Sequence, residues 1–146
     1  MVNNAHNDPL AIATELRPVL LRLARELRRE TAELGVTARQ ATLLNLVERR
    51  PNVTTSELAA VEGVSVPSMS RHVDRLDELG LVTRARSTAD RRRVALALTP
   101  RGVEILNAVR ERRTAWLADR LARLGTRERD RIATAVPLLQ LLVAGP

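Results

Sequence analysis

The sequence has no cysteine, no tyrosine and no phenylalanine, and Trp116 is its single aromatic residue. Without cysteine there are no disulfides, thiolate zinc sites, iron–sulfur clusters or thiol redox sensors. Without a set of aromatic rings there is no stacking platform of the kind that reads single-stranded nucleic acid. Lysine is absent as well, so all 24 basic residues are arginine. A GC-rich coding bias also produces that composition, and the choice of arginine carries no argument by itself. No stretch of roughly 18 uninterrupted apolar residues occurs, so no transmembrane helix and no membrane partner are expected. The opening MVNNAHNDPL lacks the basic and apolar regions of a secretory signal, and the expected location is the cytoplasm.

What is present is a chain of 146 residues, 45% hydrophobic and 28% charged, the balance of a folded soluble protein. The length suits one domain, with or without an oligomerisation element. Its 24 basic residues against 17 acidic ones give a net charge of +7. A basic chain can bind nucleic acid or an anionic membrane, or simply carry a solvated surface; the composition favours nucleic acid.

Helical periodicity dominates the first third. Asp8-Pro9 reads as an N-cap with proline at the first helical position. Leu16, Leu20, Leu23 and Leu27 recur at spacings of four, three and four, and Pro18 should kink this helix or delay its regular part. After a break at Leu34-Gly35-Val36, Thr37 and Gln40 form a capping box for a helix to about Arg49. Thr54 and Glu57 form a second box, opening a short helix over 56–61 that Gly63 ends. Ser65 caps the next helix, with Pro67 tolerated in its first turn, and Gly80 stops it. Segments 81–86 and 93–98 then read as two strands, Val94, Leu96 and Leu98 alternating against Ala95 and Ala97. Thr99-Pro100 opens a long helix to about Leu124, Gly125-Thr126 breaks it, and a last helix ends in an apolar run to Val143. The expected fold is mainly α with a small β element: a winged helix-turn-helix with additional N- and C-terminal helices.

The helix-turn-helix rests on Ala59, a small residue allowing close helix approach, and on Gly63 four positions later, allowing the tight turn. On the second helix Met69, Val73, Leu76 and Leu79 form an apolar stripe. Ser68, Arg71 and Arg75 cluster within about 60° of one another, away from it. An apolar back with a short polar residue and two arginines facing outward is what a recognition helix needs, since arginine bridges guanine O6 and N7 and serine donates to a base or phosphate. An ordinary solvated amphipathic face is the bland alternative for this helix in isolation. The candidate set there is Ser65, Pro67, Ser68, Ser70, Arg71, His72 and Arg75. Thr37, Thr54 and Thr55, at helix N-termini, are candidate phosphate contacts.

The hairpin carries six arginines between Val82 and Arg101 (84, 86, 91, 92, 93 and 101) against one acid, Asp90. A local charge of about +5 on a protruding ribbon repels itself unless phosphates neutralise it. Arg84, Arg86, Asp90, Arg91, Arg92 and Arg93 are therefore candidate wing contacts. Asp90 either pins the loop and orients the Arg92 guanidinium toward a minor groove, or serves as a turn residue, or does both.

From Ser56 to Gly102 the sequence resembles the MarR family of bacterial transcription regulators. The residues that carry the resemblance are Leu58-Ala-Ala with Gly63-Val-Ser, Ser70-Arg71 with Val73-Asp74-Arg75-Leu76, Leu79-Gly80-Leu81-Val82, Asp90 with Arg92, and Leu98-Thr99 with Gly102. The resemblance extends to nearly the whole chain and implies a single domain over 1–146. Within it, 36–99 would form the DNA-binding lobe, and 8–34 with 100–144 the dimerisation helices. It places Arg71 and Arg75 on recognition-helix positions and Asp90 and Arg92 on the wing motif. One departure stands out: the residue after the wing arginine is often glycine in the family and is Arg93 here. The implied function is a homodimeric repressor of a pseudo-palindromic operator in double-stranded DNA, relieved by a small anionic or aromatic effector.

Leu16, Leu20, Trp116, Leu138 and Leu142 are candidates for a dimer or effector region, because a small winged-helix lobe cannot bury such apolar arms along their length. They could also be plain core. His6 and His72 are the only histidines, so a metal site within one chain is not expected, and no cofactor is. No nucleophile–histidine–acid set or P-loop argues for an enzyme; Ser68 and Ser70 beside His72 belong to the helix-turn-helix. The rival readings are a non-specific architectural DNA binder and a winged helix used for protein contact.

Overall fold

The computed structural model describes residues 7–88 and 90–144; His6 and Ala89 of the wing loop lie outside them. In chain order the elements are α1 (Pro9–Arg29), a 3-10 turn (Ala32–Leu34), α2 (Ala38–Arg49), α3 (Thr55–Glu62), α4 (Val66–Glu78), β1 (Val82–Arg86), β2 (Val94–Leu98), α5 (Pro100–Ala122) and α6 (Thr126–Val143). The two strands pair antiparallel, Val82 opposite Leu98 and Arg86 opposite Val94. This is the mainly helical winged helix-turn-helix that the sequence implies. Two compact units divide between Arg113 and Thr114. No described helix is long and apolar enough to cross a membrane.

Local chemistry sets the helix ends. The Asp8 carboxylate accepts from the Ala11 N–H at 3.2 Å, with Pro9 opening α1. Both capping boxes form: Gln40 and Thr37 satisfy each other's backbone N–H, as do Glu57 and Thr54. Gly63 closes α3 at φ 64°, and the N–H of Val64 reaches the Ala59 carbonyl at 3.0 Å. Ala59 is itself buried, so the small residue and the glycine together let α3 and α4 approach closely.

One core joins α2 (Leu43, Leu44, Val47), α3 (Leu58), α4 (Met69, Val73, Leu76) and the hairpin (Val82, Leu96). Leu106 and Val109 of α5 belong to it too, so the lobe's core runs past the expected limit at residue 99. The strand pattern also differs from the expectation. Ala95 and Leu96 are buried while Val94 is exposed, because the N–H of Leu96 bonds the Val53 carbonyl at 2.8 Å and draws the middle of β2 onto the loop before α3. Pro18 does not break α1, which is continuous through it. α5 stops at Ala122, short of Leu124, and Gly125 is the N-cap of α6.

The wing closes on a knot around Thr99. Its hydroxyl donates to the Gly80 carbonyl at 2.5 Å and accepts from the Gly102 N–H at 3.0 Å, while its own N–H reaches the Leu81 carbonyl at 3.1 Å. α5 therefore starts against the α4–β1 junction. A Cβ on Gly102 would lie 2.0 Å from the Leu81 carbonyl oxygen, so only glycine fits.

Arginines of α5 fasten α2, the end of α1 and the turn between them. Arg110 donates to Asn45 Oδ1 at 3.0 Å and pairs with Glu48, Arg112 pairs with Glu33 and sits 3.7 Å from Glu30, and Arg113 Nε donates to the Leu27 carbonyl at 3.1 Å. The hydrogen bond from Arg110, followed by the charges of Arg110 and Arg49 and opposed by desolvation, holds the Glu48 carboxyl below its usual 4.5.

Two outcomes follow. Gly102→Ala should destabilise the protein by about 2 kcal/mol or more, through a backbone clash that no rotamer relieves. Gly63→Ala, strained at positive φ but with open space around it, should cost only about 1 kcal/mol. Urea unfolding of both variants tests that order. Because the folded-state pKa of Glu48 is depressed, its contribution is present above the unfolded value and disappears as pH falls through the folded one. Glu48→Gln should therefore flatten the decline in urea midpoint below about pH 4.5.

Candidate nucleic-acid interface

Helix α4 has the two faces expected of it. Met69, Val73 and Leu76 are buried in the core, whereas Arg71 and Arg75 are exposed. Ser65 caps the helix, its hydroxyl accepting from the Ser68 N–H at 3.3 Å, and Pro67 sits in the first turn. Ser65 and Pro67 are exposed, while Ser68, Ser70 and His72 are half-buried between the two faces. Leu79, expected on the apolar stripe, is half-buried and forms the C-cap. Arg71 has no ion pair among the described residues, so its guanidinium is available. Arg75 pairs with Glu78 at 3.0 Å, with both side chains more than half exposed. A solvated pair of this kind is worth about 0–1 kcal/mol, little enough for a nucleic-acid partner to displace.

The wing arginines divide into two groups. Arg84 turns back from β1 onto α4, reaching Asp74 at 2.5 Å and Asp77 at 2.9 Å. Arg93 pairs with Glu57 at the start of α3. Two of the six hairpin arginines are thus neutralised by carboxylates of the helix-turn-helix, and the self-repulsion inferred from the segment's own charge is correspondingly smaller. Arg86, Arg91, Arg92 and Arg101 are exposed and carry no ion pair among the described residues.

Asp90 builds the turn. Its Oδ1 accepts the backbone N–H of Arg92 at 3.0 Å, its carbonyl accepts the N–H of Arg93 at 3.0 Å, and the N–H of Ser87 bonds the Arg93 carbonyl at 2.9 Å. The carboxylate therefore holds the backbone of Arg92, not its guanidinium; of the two roles read for Asp90, the geometry contains the turn.

Several expected residues meet in one cleft of about 440 Å³, lined by Thr54, Thr55, Ser56, Glu57, Arg92, Arg93 and Val94. It combines a helix N-terminus, hydroxyls and two guanidinium groups, with Glu57 as its acid. The Thr54 and Thr37 oxygens accept backbone N–H bonds as caps, which leaves each hydroxyl hydrogen free to donate outward. Thr37 is not among the residues of this cleft.

Glu57, Asp74 and Asp77 were not among the site residues inferred from sequence. Asp74 and Asp77, three apart on one helix, share a face, which is the only local signal for a common partner. Leu16 is half-buried, Leu20 exposed, and Leu138 and Leu142 are 62% and 72% exposed. Trp116 is half-buried, with the Arg120 guanidinium 3.5 Å from its ring centroid.

Comparison with known proteins agrees with this geometry. Residues 34–93 match the model of the MarR family. An HTH-type transcriptional regulator of Mycobacterium tuberculosis is 35% identical over 132 residues, spanning 90% of this chain and 92% of its own. Among solved structures, a mutant of MarR from E. coli superposes with a TM-score of 0.75 at 26% identity, covering 90% of this chain and 96% of that one. A mutant of S. aureus MepR bound to an oligodeoxyribonucleotide gives 0.69 at 18% identity over 89% and 96% of the two chains, a likeness of fold alone. The relatives are regulators, not enzymes. The chain belongs to the MarR family of helix-turn-helix transcription regulators.

Proposed function

We propose that this regulator is a homodimeric repressor that reads a pseudo-palindromic operator with α4 and grips the flanking backbone with its wings. The observation that carries this reading is Arg71, exposed and without an ion pair among the described residues, on a helix whose opposite face is locked into the core by Met69, Val73 and Leu76. Arg71 and Arg75 would contact base edges, Ser65, Pro67, Ser68, Ser70 and His72 would line the groove, and Thr37, Thr54 and Thr55 would bind phosphates. Arg86, Arg91 and Arg92 supply the wing's free charge, and Asp90 holds its tip. The DNA-bound MepR structure supports this mode by fold. Membership of the family supports two further parts of this reading, relief by a small anionic or aromatic effector and work in a bacterial cytoplasm.

Pairing is assigned to the helices within 8–34 and 100–144. Of nineteen exposed large apolar side chains among the described residues, six lie on α1 and seven on α6. Such a concentration on two terminal elements suits burial against a second copy.

Two experiments test these readings. On a duplex selected from a randomised pool, Arg71→Ala and Arg75→Ala should each cost about 1–3 kcal/mol per half-site, and clearly less on a scrambled duplex. Equal losses on both duplexes would reduce α4 to a basic surface. Sedimentation equilibrium should give a dimer at micromolar concentration, and Leu138→Glu with Leu142→Glu should shift the protein to monomer or aggregate. An unchanged dimer would remove α6 from the pairing surface.

A further inference from the structure

The arginine that stands where the family often has glycine pairs outside the wing. Arg93 leaves the hairpin just before β2 and pairs with Glu57, the third residue of α3. The same carboxylate accepts the Thr54 N–H at 2.8 Å, closing the α3 capping box. Glu57 therefore holds a helix start with one oxygen and a wing guanidinium with the other. The Thr54 N–H and then Arg93 keep its carboxyl below the usual carboxylate range, so it is ionised at neutral pH. On the other side, the Arg93 carbonyl accepts the Ser87 N–H at 2.9 Å, which ties the clasp to the neck of the wing loop. The pair sits in the cleft with Thr54, Thr55 and Arg92.

We propose that Glu57 is an internal counter-ion for Arg93, tethering the neck of the wing to the N-terminus of α3 and withholding one positive charge per protomer from the DNA backbone. Glu57 and Arg93 are positioning residues in this scheme. The charge-withholding half rests on the DNA-binding reading above; the tether does not. An additional free guanidinium beside Arg91 and Arg92 would strengthen binding to every sequence equally, because phosphate contacts carry no sequence information. Masking it lowers sequence-independent affinity and leaves discrimination to α4.

The test uses Glu57→Gln, whose amide oxygen still accepts the Thr54 N–H and keeps the helix start, as Gln40 does for α2. Folding is checked by circular dichroism. On a duplex of mixed sequence, Glu57→Gln should tighten binding severalfold. It should also steepen the log–log salt dependence by about 0.9 per protomer as Arg93 becomes free to meet a phosphate. Arg93→Ala leaves an unpaired carboxylate facing the backbone and should weaken binding, and adding Glu57→Gln to it should restore affinity toward wild type. If Arg93→Ala and the double variant are equally weak, each with a flatter salt slope, Arg93 is itself a phosphate contact and charge withholding is overturned. A wild-type protein that binds no duplex, even at low salt, overturns the DNA reading and the withholding with it. Amide exchange then decides the tether without DNA. The Ser87 N–H should exchange severalfold faster in both single variants, and unchanged exchange would overturn the tether.

Discussion

The geometry of the winged-helix lobe hangs on the approach of Gly102 to the Leu81 carbonyl, with Thr99 bonded to both sides of the junction. The end of α4, the start of β1, the end of β2 and the start of α5 meet within four residues of chain on each side. A two-stranded ribbon alone is marginal in water, so its position relative to α4 has to be imposed from its ends. The knot imposes it at the base, and the bond from Leu96 to Val53 holds the ribbon against the lobe. Arg84, bridging Asp74 and Asp77, then makes β1 and α4 one body.

An all-arginine basic set suits this plan. A guanidinium spans two acceptors at once, which is how Arg84 joins two carboxylates and Arg110 joins Asn45 to Glu48. Arg84, Arg93, Arg110, Arg112 and Arg113 therefore work as fastening between segments of the chain. What faces outward on α4 and the wing is a separate group, Arg71, Arg75, Arg86, Arg91 and Arg92. Net charge describes neither population by itself.

Features governed by near neighbours were legible in the sequence. Thr37 with Gln40, Thr54 with Glu57, and Ala59 with Gly63 act over three or four residues, and each formed as the pattern implied. The apolar stripe of α4 is local in the same sense. Partnerships across the fold were not legible: Arg84 with Asp74 spans 10 residues, Arg93 with Glu57 spans 36, and Arg110 with Glu48 spans 62. Counting charge along the hairpin alone overstated the charge free to meet DNA, because the compensating acids lie on α3 and α4. The exposed Val94 has a similar origin, since the bond from Leu96 to Val53 on a different segment covers the middle of β2 and leaves its first residue open.

Trp116 gives the molecule an unusual optical character. With no tyrosine or phenylalanine, all of its near-ultraviolet absorption and emission come from one indole, placed after Arg113 and covered by the Arg120 cation. The winged-helix lobe contributes no aromatic band of its own. Emission from this protein reports on the surroundings of a single ring on α5, and the melting of the winged-helix lobe has to be followed through its backbone.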